Sequence, residues 1–560
     1  MLSPVTSLLI LAACSQAVAA HGPLPYRPRC AFGDPCWPSL KEWQSFNESI
    51  SGRLIVSHPS AVICHQPLYN PILCKKATEE WTNSFWRTDQ VGAYSAILWE
   101  DGNDQCDINT PVNEPCGPGL VAHYSVAAED TSDIQAAIHF ALRHDIYLVI
   151  KNTGHDHLGR SSGRGSLAIW THRLKGRTWH DAFTPSGAPS CYSAVPAVTL
   201  RAGEQWLDVY RDADMHNRIV VGGSARTVGA AGGYLTGGGH SAWAHFYGLA
   251  ADNLLEVTIV TPTGELKIIN EHTDPDYFWA IRGGGGSTWG VITSVTYKTH
   301  PSPSHIQVGI SQFNTTTDTA RRTVIQQVLK SLVYITDSGY TGYGSITPNS
   351  LRLIFIQPNG TNATYDSAFA SLQQLANVTG VAGGIFQLVF PSWLEYGNVF
   401  LQDPNIATNV QDASRLLTKD ILLNKHDQLA DLVLQYPDLT PGFNFIGKVN
   451  SAERDKTSVH DTWRNSHALM TFGIDFVDNA TLAYKHERKE RLVEISSRMS
   501  DIVGPDSGTY VNEANPYEPK WQTVFWGKNY VRLLKIKRRV DPANLLVCNR
   551  CVGTDVIYEP

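Results

Sequence analysis

The residues with the clearest chemical potential lie between Val221 and Gly239, VGGSARTVGAAGGYLTGGG, where 8 of the 18 residues from Gly222 onward are glycine. Lacking a Cβ, glycine lets backbone amides turn inward and approach a ligand closely, as anion-binding nests do. A flexible linker would be Gly/Ser-rich and polar, whereas this run carries Val228, Tyr234 and Leu235. It reads as a cofactor cradle. The cradle contains neither G-x-G-x-x-G nor G-x-x-x-x-G-K-[ST]. Rossmann and P-loop geometries are therefore disfavoured, and phosphates must be held by another arrangement.

A second loop, Lys151 to Gly165 (KNTGHDHLGRSSGRG), follows the short apolar strand Ile146 to Ile150. Taken alone, His155 in such a loop is a surface residue or a turn former. Gly159-Arg160-Ser161-Ser162-Gly163 fits G-x-S-x-G, the motif of a hydrolase with Ser161 as nucleophile. That elbow requires its serine on a sharp turn between strand and helix. Ser161 lies well beyond the strand, and Ser166 to Trp170 reads as another strand, so the hydrolase reading is disfavoured. The pair Cys548-x-x-Cys551 resembles half a zinc site, but no matching second half follows.

The elements that would position these loops read as follows. Thr131 to Asp145 places Ile134, Ala137, Ile138, Ala141 and Leu142 at helical spacing, with Ser132 or Thr131 as cap. A strand at Val198–Arg201, a helix near Trp206–His216 and a strand at Arg218–Val221 lead into the cradle. Beyond it come a strand pair, Leu254–Thr261 and Glu265–Ile269, turned at Pro262–Gly264, then a helix in DPDYFWAIR, a second glycine run and a strand at Val291–Tyr297. Past Pro301–Pro303 the composition changes. Strand-like runs such as Leu351–Ile356 and Met470–Val477 alternate with helices such as Thr319–Val333, which suggests a separate α+β domain. The last fifty residues turn aromatic and basic again and are expected to fold back on the first domain.

With 560 residues the chain exceeds one ordinary core. A net charge of −7 without a dominant basic patch argues against nucleic acid. Residues 1–20 read as a cleaved secretory signal, and no later stretch is apolar for long enough to span a bilayer. Six N-glycan acceptor tripeptides, at Asn47, Asn314, Asn359, Asn362, Asn377 and Asn479, agree with secretion. So do the close cysteine pairs Cys30/Cys36, Cys64/Cys74, Cys106/Cys116 and Cys548/Cys551, read as disulfides in an oxidising compartment. Cys191 is left over as a free thiol.

Four ordered motifs now carry a resemblance: KNTGHDHLG after a strand, GGSARTVGAAGGYLTGGGHS with YGLAADNLLEV, DPDYFWAIRGGGGSTWGVIT, and the terminal GKNYVRLLKIKRRVDPANLL. Together they resemble the berberine-bridge-enzyme-like branch of the vanillyl-alcohol-oxidase type FAD proteins, and within it the fungal isoamyl-alcohol-oxidase-like proteins. The resemblance covers residues 120–300 and 510–555. It implies an α+β fold, with a two-part FAD-binding domain of PCMH/VAO type and a substrate domain whose antiparallel sheet is covered by helices. The expected organisation is a signal at 1–20, a disulfide-rich lead-in at 21–119, the FAD-binding domain at 120–300, the substrate domain at 301–509 and a returning segment at 510–560.

By the same resemblance, His155 matches the histidine that bonds covalently to the flavin 8α-methyl group. Asn152, Thr153, Gly154, Asp156 and Gly159 of its loop are expected at the cofactor. In the cradle, the same holds for Thr227, Gly229, Gly232, Gly233 and Gly239. Ala225 stands where bicovalent members have a cysteine, implying one link only. Val228 matches a small gate position that admits oxygen. A histidine that some members place near the flavin carbonyl has no counterpart, Gly233 or Tyr234 standing in its place. Asp475 matches the acidic residue that serves as base, and Tyr510, Asn512, Asn529 and Tyr530 match segments returning near the flavin. The implied activity is a secreted FAD-dependent oxidase that takes hydride from an alcohol-type small molecule and gives hydrogen peroxide from oxygen. Oligosaccharide oxidation, oxidative cyclisation or dehydrogenation of a secondary metabolite, and a non-catalytic secreted glycoprotein are the alternatives.

Overall fold

The computed structural model describes residues 29–554 apart from 103, 105, 404–405, 450–453 and 479. The secretory signal and the Asn479 acceptor lie outside these residues. Three large sheets organise the described residues, beside a two-stranded pairing of Arg218–Ile219 with His300–Pro301. A four-stranded sheet has the order Leu54–Val56, Tyr124–Ala127, Leu167–Trp170, Leu148–Lys151, its last three strands parallel and its first antiparallel. The parallel strands are apolar apart from Ser125 and Lys151, because helices and neighbouring segments bury both faces.

The helix Thr131–His144 is the crossover between two of those strands. Its cap is Asp130, one residue before the expected position. The Asp130 carboxylate accepts from the amides of Ser132 and Asp133, and Asp133 returns the bond, closing a capping box. The apolar stripe falls as its spacing requires. Ile134, Ala137, Ile138 and Ala141 are buried against Val126, Leu148 and Leu167. Each isoleucine buried there contributes about 1.5–3 kcal/mol.

The second sheet is antiparallel, in the order Arg177–Phe183, Val195–Arg201, Val291–Lys298, Leu254–Val260, Leu266–Ile269. The third has seven antiparallel strands: Val381–Phe390, Ile306–Thr315, Ser350–Pro358, Thr341–Ile346, Gly442–Phe445, Ser466–Asp475 and Val410–Thr418. Helices Asp318–Asp337, Asn362–Gln373, His426–Gln435 and Leu482–Val503 cover one face of it, where Leu329, Phe369 and Leu492 meet Leu353, Phe355 and Phe472. Its other face looks toward the glycine cradle.

The C-terminal segment reaches back to the first two sheets. Leu545 and Leu546 join the core under Thr131–His144, Asn549 Nδ2 donates to Leu158 O at 2.9 Å, and Lys537 Nζ donates to Thr288 O at 2.9 Å. The lead-in is more than a strap, because it supplies the strand Leu54–Val56 and two segments that back the His155 loop. The four cysteine pairs are disulfides, including Cys548–Cys551, and Cys191 is a free, exposed thiol. Asn314, Asn359, Asn362 and Asn377 are exposed around the seven-stranded sheet and its helices, while Asn47 is half-buried.

Candidate functional site

Between the cradle and the bare face of the seven-stranded sheet lies a cavity of about 560 Å³. That size is within the range of small-molecule and cofactor sites. The His155 loop builds one wall. Gly154, at φ +84°, turns the chain where a Cβ would lie 2.9 Å from Ala93 O, so only glycine brings the loop this close to the lead-in. Asn152, Thr153, Gly154, His155 and Asp156 all line the cavity. Gly159 lies behind the wall, against the Trp99 ring.

His155 is fixed from both sides. Its Nδ1 lies 3.0 Å from Ser95 Oγ and its Nε2 2.8 Å from Thr227 Oγ1. Thr227 spends its hydroxyl proton on Asp403 Oδ1 at 2.8 Å, so Oγ1 accepts from His155 Nε2–H, and Nδ1 accepts from Ser95. The lone pair therefore sits on Nδ1. Burial pushes the His155 pKa down to about 4, the neighbouring Asp403 only partly opposing it. The ring is neutral at any physiological pH.

The cradle forms the floor. Ala225, Val228, Gly229, Gly232 and Gly233 line the cavity, and a Cβ at Gly232 or Gly233 would meet nothing within 4 Å. Bare backbone thus faces open space. Thr227 is buried behind the floor, holding His155, and Gly239 packs against Ala250 and Tyr234. At Gly229 a Cβ would lie 2.2 Å from Asn152 Nδ2, which itself donates to Ala202 O at 2.7 Å. Gly229→Ala is therefore expected to displace Asn152 and to lower the flavin-to-protein absorbance ratio of the purified protein several-fold.

Four buried polar atoms of residues lining the cavity have no partner among the described residues: Asn152 Oδ1, Ser161 Oγ, His240 Nδ1 and Trp289 Nε1. Left unpaired, such groups cost about 1–3 kcal/mol each, so they are fitted to a bound polar ligand. Together with the bare cradle, this donor and acceptor set fits a flavin dinucleotide. Ser161 Oγ also lacks the histidine that a hydrolase triad needs.

The far wall departs from expectation. Asp475 is exposed at the end of its strand and outside the cavity lining. The sheet register explains why: Asp412 on the neighbouring strand pairs with Gly473, two residues nearer the centre, and the missing side chain at Gly473 leaves it room. Asp412 lines the cavity and accepts from His157 Nδ1 at 2.5 Å. Asn529 and Tyr530 also stand outside the lining. Asn529 Nδ2 donates to Val459 O at 3.0 Å, and Tyr530 packs against Trp521 and Trp526. Tyr510 does line the cavity, accepting from Asn512 Nδ2 at 2.8 Å, and burial pushes its phenol up.

Glu513 completes this wall, with its Oε1 3.1 Å from His240 Nε2 and its Oε2 3.5 Å from Asn444 Nδ2. Burial alone would raise its pKa, but His240, His157 and Asn444 outweigh it and hold the carboxylate below the usual range. His157, Asp412, His240 and Glu513 escape a motif-based reading. Their available signals were weak: a second histidine two residues after His155, and one aspartate inside an otherwise buried strand.

Known proteins resemble this chain along its length. A model described as FAD binding domain matches residues 122–270, and one described as berberine and berberine like matches residues 509–551. A protein of Arthroderma benhamiae described as an uncharacterized FAD-linked oxidoreductase is 56% identical over 539 residues, 95% of each chain. A VAO-type flavoprotein of Myceliophthora thermophila C1 superposes with a TM-score of 0.88 at 26% identity, covering 95% of this chain and 98% of that one. Glucooligosaccharide oxidase of Acremonium strictum, whose FAD is described as 6-S-cysteinyl, 8α-N1-histidyl, shares the fold with a TM-score of 0.65 at 18% identity, over 87% of this chain and 99% of that one.

Proposed function

The chain belongs to the berberine-bridge-enzyme-like branch of the VAO-type FAD-linked oxidoreductases, and from that premise we propose a secreted oxidase carrying FAD on a single bond from His155. The observation that carries this reading is His155 itself: a half-buried, neutral imidazole whose lone pair is assigned to Nδ1, set in the wall of a cavity built on the FAD-binding region. Such a nitrogen is the nucleophile that an 8α link requires. Ala225 offers no thiol for a second link, so the attachment is monocovalent.

In this reading the flavin, once bound, supplies a two-electron acceptor for hydride and returns the electrons to oxygen as hydrogen peroxide. The remaining work falls to the chain. Asn152, Gly154, Gly229, Gly232 and Gly233 present backbone and amide groups to the cofactor. Val228 keeps the oxygen path narrow and apolar. Tyr510, a neutral phenol held by Asn512, orients a substrate hydroxyl, and Phe443, Leu401 and Val410 exclude water from the carbon that loses hydride. An alcohol-type small molecule is the substrate class. Four disulfides and the exposed acceptors at Asn314, Asn359, Asn362 and Asn377 support an extracellular, glycosylated protein.

A visible spectrum of the purified protein before and after acid precipitation tests the cofactor. Yellow colour that stays with the pellet is expected. Colour that moves to the supernatant keeps the flavin and sinks the covalent link, and no colour in either fraction returns the non-catalytic glycoprotein reading to first place. Peroxide release against primary alcohols and oligosaccharides then decides the substrate class.

A further inference from the structure

Two histidines of the same loop, 155 and 157, point opposite ways. His155 is tied into the cradle side of the cavity, whereas His157 crosses it to the seven-stranded sheet and donates from Nδ1 to Asp412 Oδ2 at 2.5 Å. The His157 side chain is 32% exposed and that of Asp412 9%. His157 lines the cavity, and no hydrogen bond engages its Nε2 among the described residues, so the exposed edge of the ring opens into the cavity. A carboxylate that fixes one imidazole nitrogen and leaves the other facing a substrate space is the arrangement by which an Asp–His pair acts as a general base.

We infer that His157 Nε2 is the proton acceptor of the oxidation and that Asp412 is its positioning residue, a deepening that rests on the proposed flavin oxidase. The step balances as follows. The substrate C–H bond breaks and its electron pair leaves with the hydrogen as hydride to the bound flavin. The O–H bond breaks, its proton passes to His157 Nε2, and a carbonyl forms. Oxygen later takes the two electrons and two protons as hydrogen peroxide. The acidic residue expected to accept the proton directly, Asp475, is outside the cavity. Asp412 acts through the imidazole.

The charges around His157 set its working range. Asp412 faces it from the strand Val410–Thr418, Glu513 from the segment after Tyr510, and Asp156 from its own loop. Arg160 is paired with Asp156, His155 is a half-buried neutral neighbour, and His240 is paired with Glu513. Burial alone would lower the His157 pKa, but the three carboxylates outweigh it and hold it up at about 9. The base form is then a minority at neutral pH and grows tenfold per pH unit until about 9. Activity is expected to rise with it.

The experiment uses the full-length purified holoprotein. Mass-spectrometric exchange at histidine C2–H, followed from pH 6 to 11, reads the His157 titration without any substrate. A midpoint near 9 in the wild type, falling by at least one unit in Asp412→Asn, is expected. In parallel, anaerobic flavin bleaching with benzyl alcohol and with maltotriose is followed across the same pH range. His157→Gln is expected to lower the second-order rate of flavin bleaching at least a hundredfold at unchanged flavin content and to abolish the rise toward pH 9. Imidazole added to His157→Ala restores part of the rate. The inference is overturned if Asp412→Asn leaves the His157 midpoint in place, or if His157→Gln keeps the wild-type rate and profile. In each of these cases a flavin-loaded protein leaves the oxidase reading intact. Protein purified without any flavin overturns both.

Discussion

Replacing His155 by alanine is expected to empty the acid-precipitated pellet of flavin altogether, the colour appearing in the supernatant or not being retained through purification. The substitution deletes the Nδ1 lone pair and also frees Ser95 and Thr227, which hold the ring from either side. Tying the flavin ring to an imidazole raises its redox potential, so a variant reloaded with free FAD is expected to be a weaker oxidant. For a two-electron couple each fall of about 30 mV corresponds to ~1.4 kcal/mol, a factor of about 10 in the reduction equilibrium. A redox titration against a reference dye reads the change. A pellet that stays yellow in His155→Ala would place the link on another residue.

The second large effect concerns stability. Arg87 and Glu100 form an ion pair of 2.5 Å whose side chains are 2% and 0% exposed. Arg87 also donates to Tyr94 O, while Glu100 accepts from the amides of Tyr94 and Ser60. Arg87→Met leaves an uncompensated carboxylate in the interior, and is expected to cost about 3–5 kcal/mol, read as a lower denaturant midpoint at unchanged m. Because Ser95 adjoins Tyr94 and contacts His155, flavin retention should fall with it. The double variant Arg87→Met/Glu100→Leu removes both charges and is expected to regain most of the loss. A single variant as stable as the wild type would show the pair to be dispensable.

Local signals in the chain were strong where one element sufficed to express them. The helix at 131–144, the strand ahead of the His155 loop and the glycine cradle each follow from spacing and side-chain type over a dozen residues. The disulfides were legible for the same reason, since each joins cysteines 3 to 10 residues apart. His155 needed more. Its residue type says nothing by itself, and only the ordered motifs around it marked it.

The far wall of the cavity required the folded chain. Whether Asp412 or Asp475 enters the site depends on the register of two antiparallel strands and on where the second one ends, and a two-residue offset along a strand keeps the same face while moving about 7 Å. The pairs His157–Asp412 and His240–Glu513 span 255 and 273 residues, separations over which no sequence periodicity carries information. Ser95 reaches His155 from a lead-in with few periodic runs. The sequence by itself determined the flavoprotein character of this chain, because cradle, loop and returning segment are contiguous motifs. The tertiary structure decided which acid and which imidazole line the cavity, because the contacts that place them form only when distant strands and loops meet.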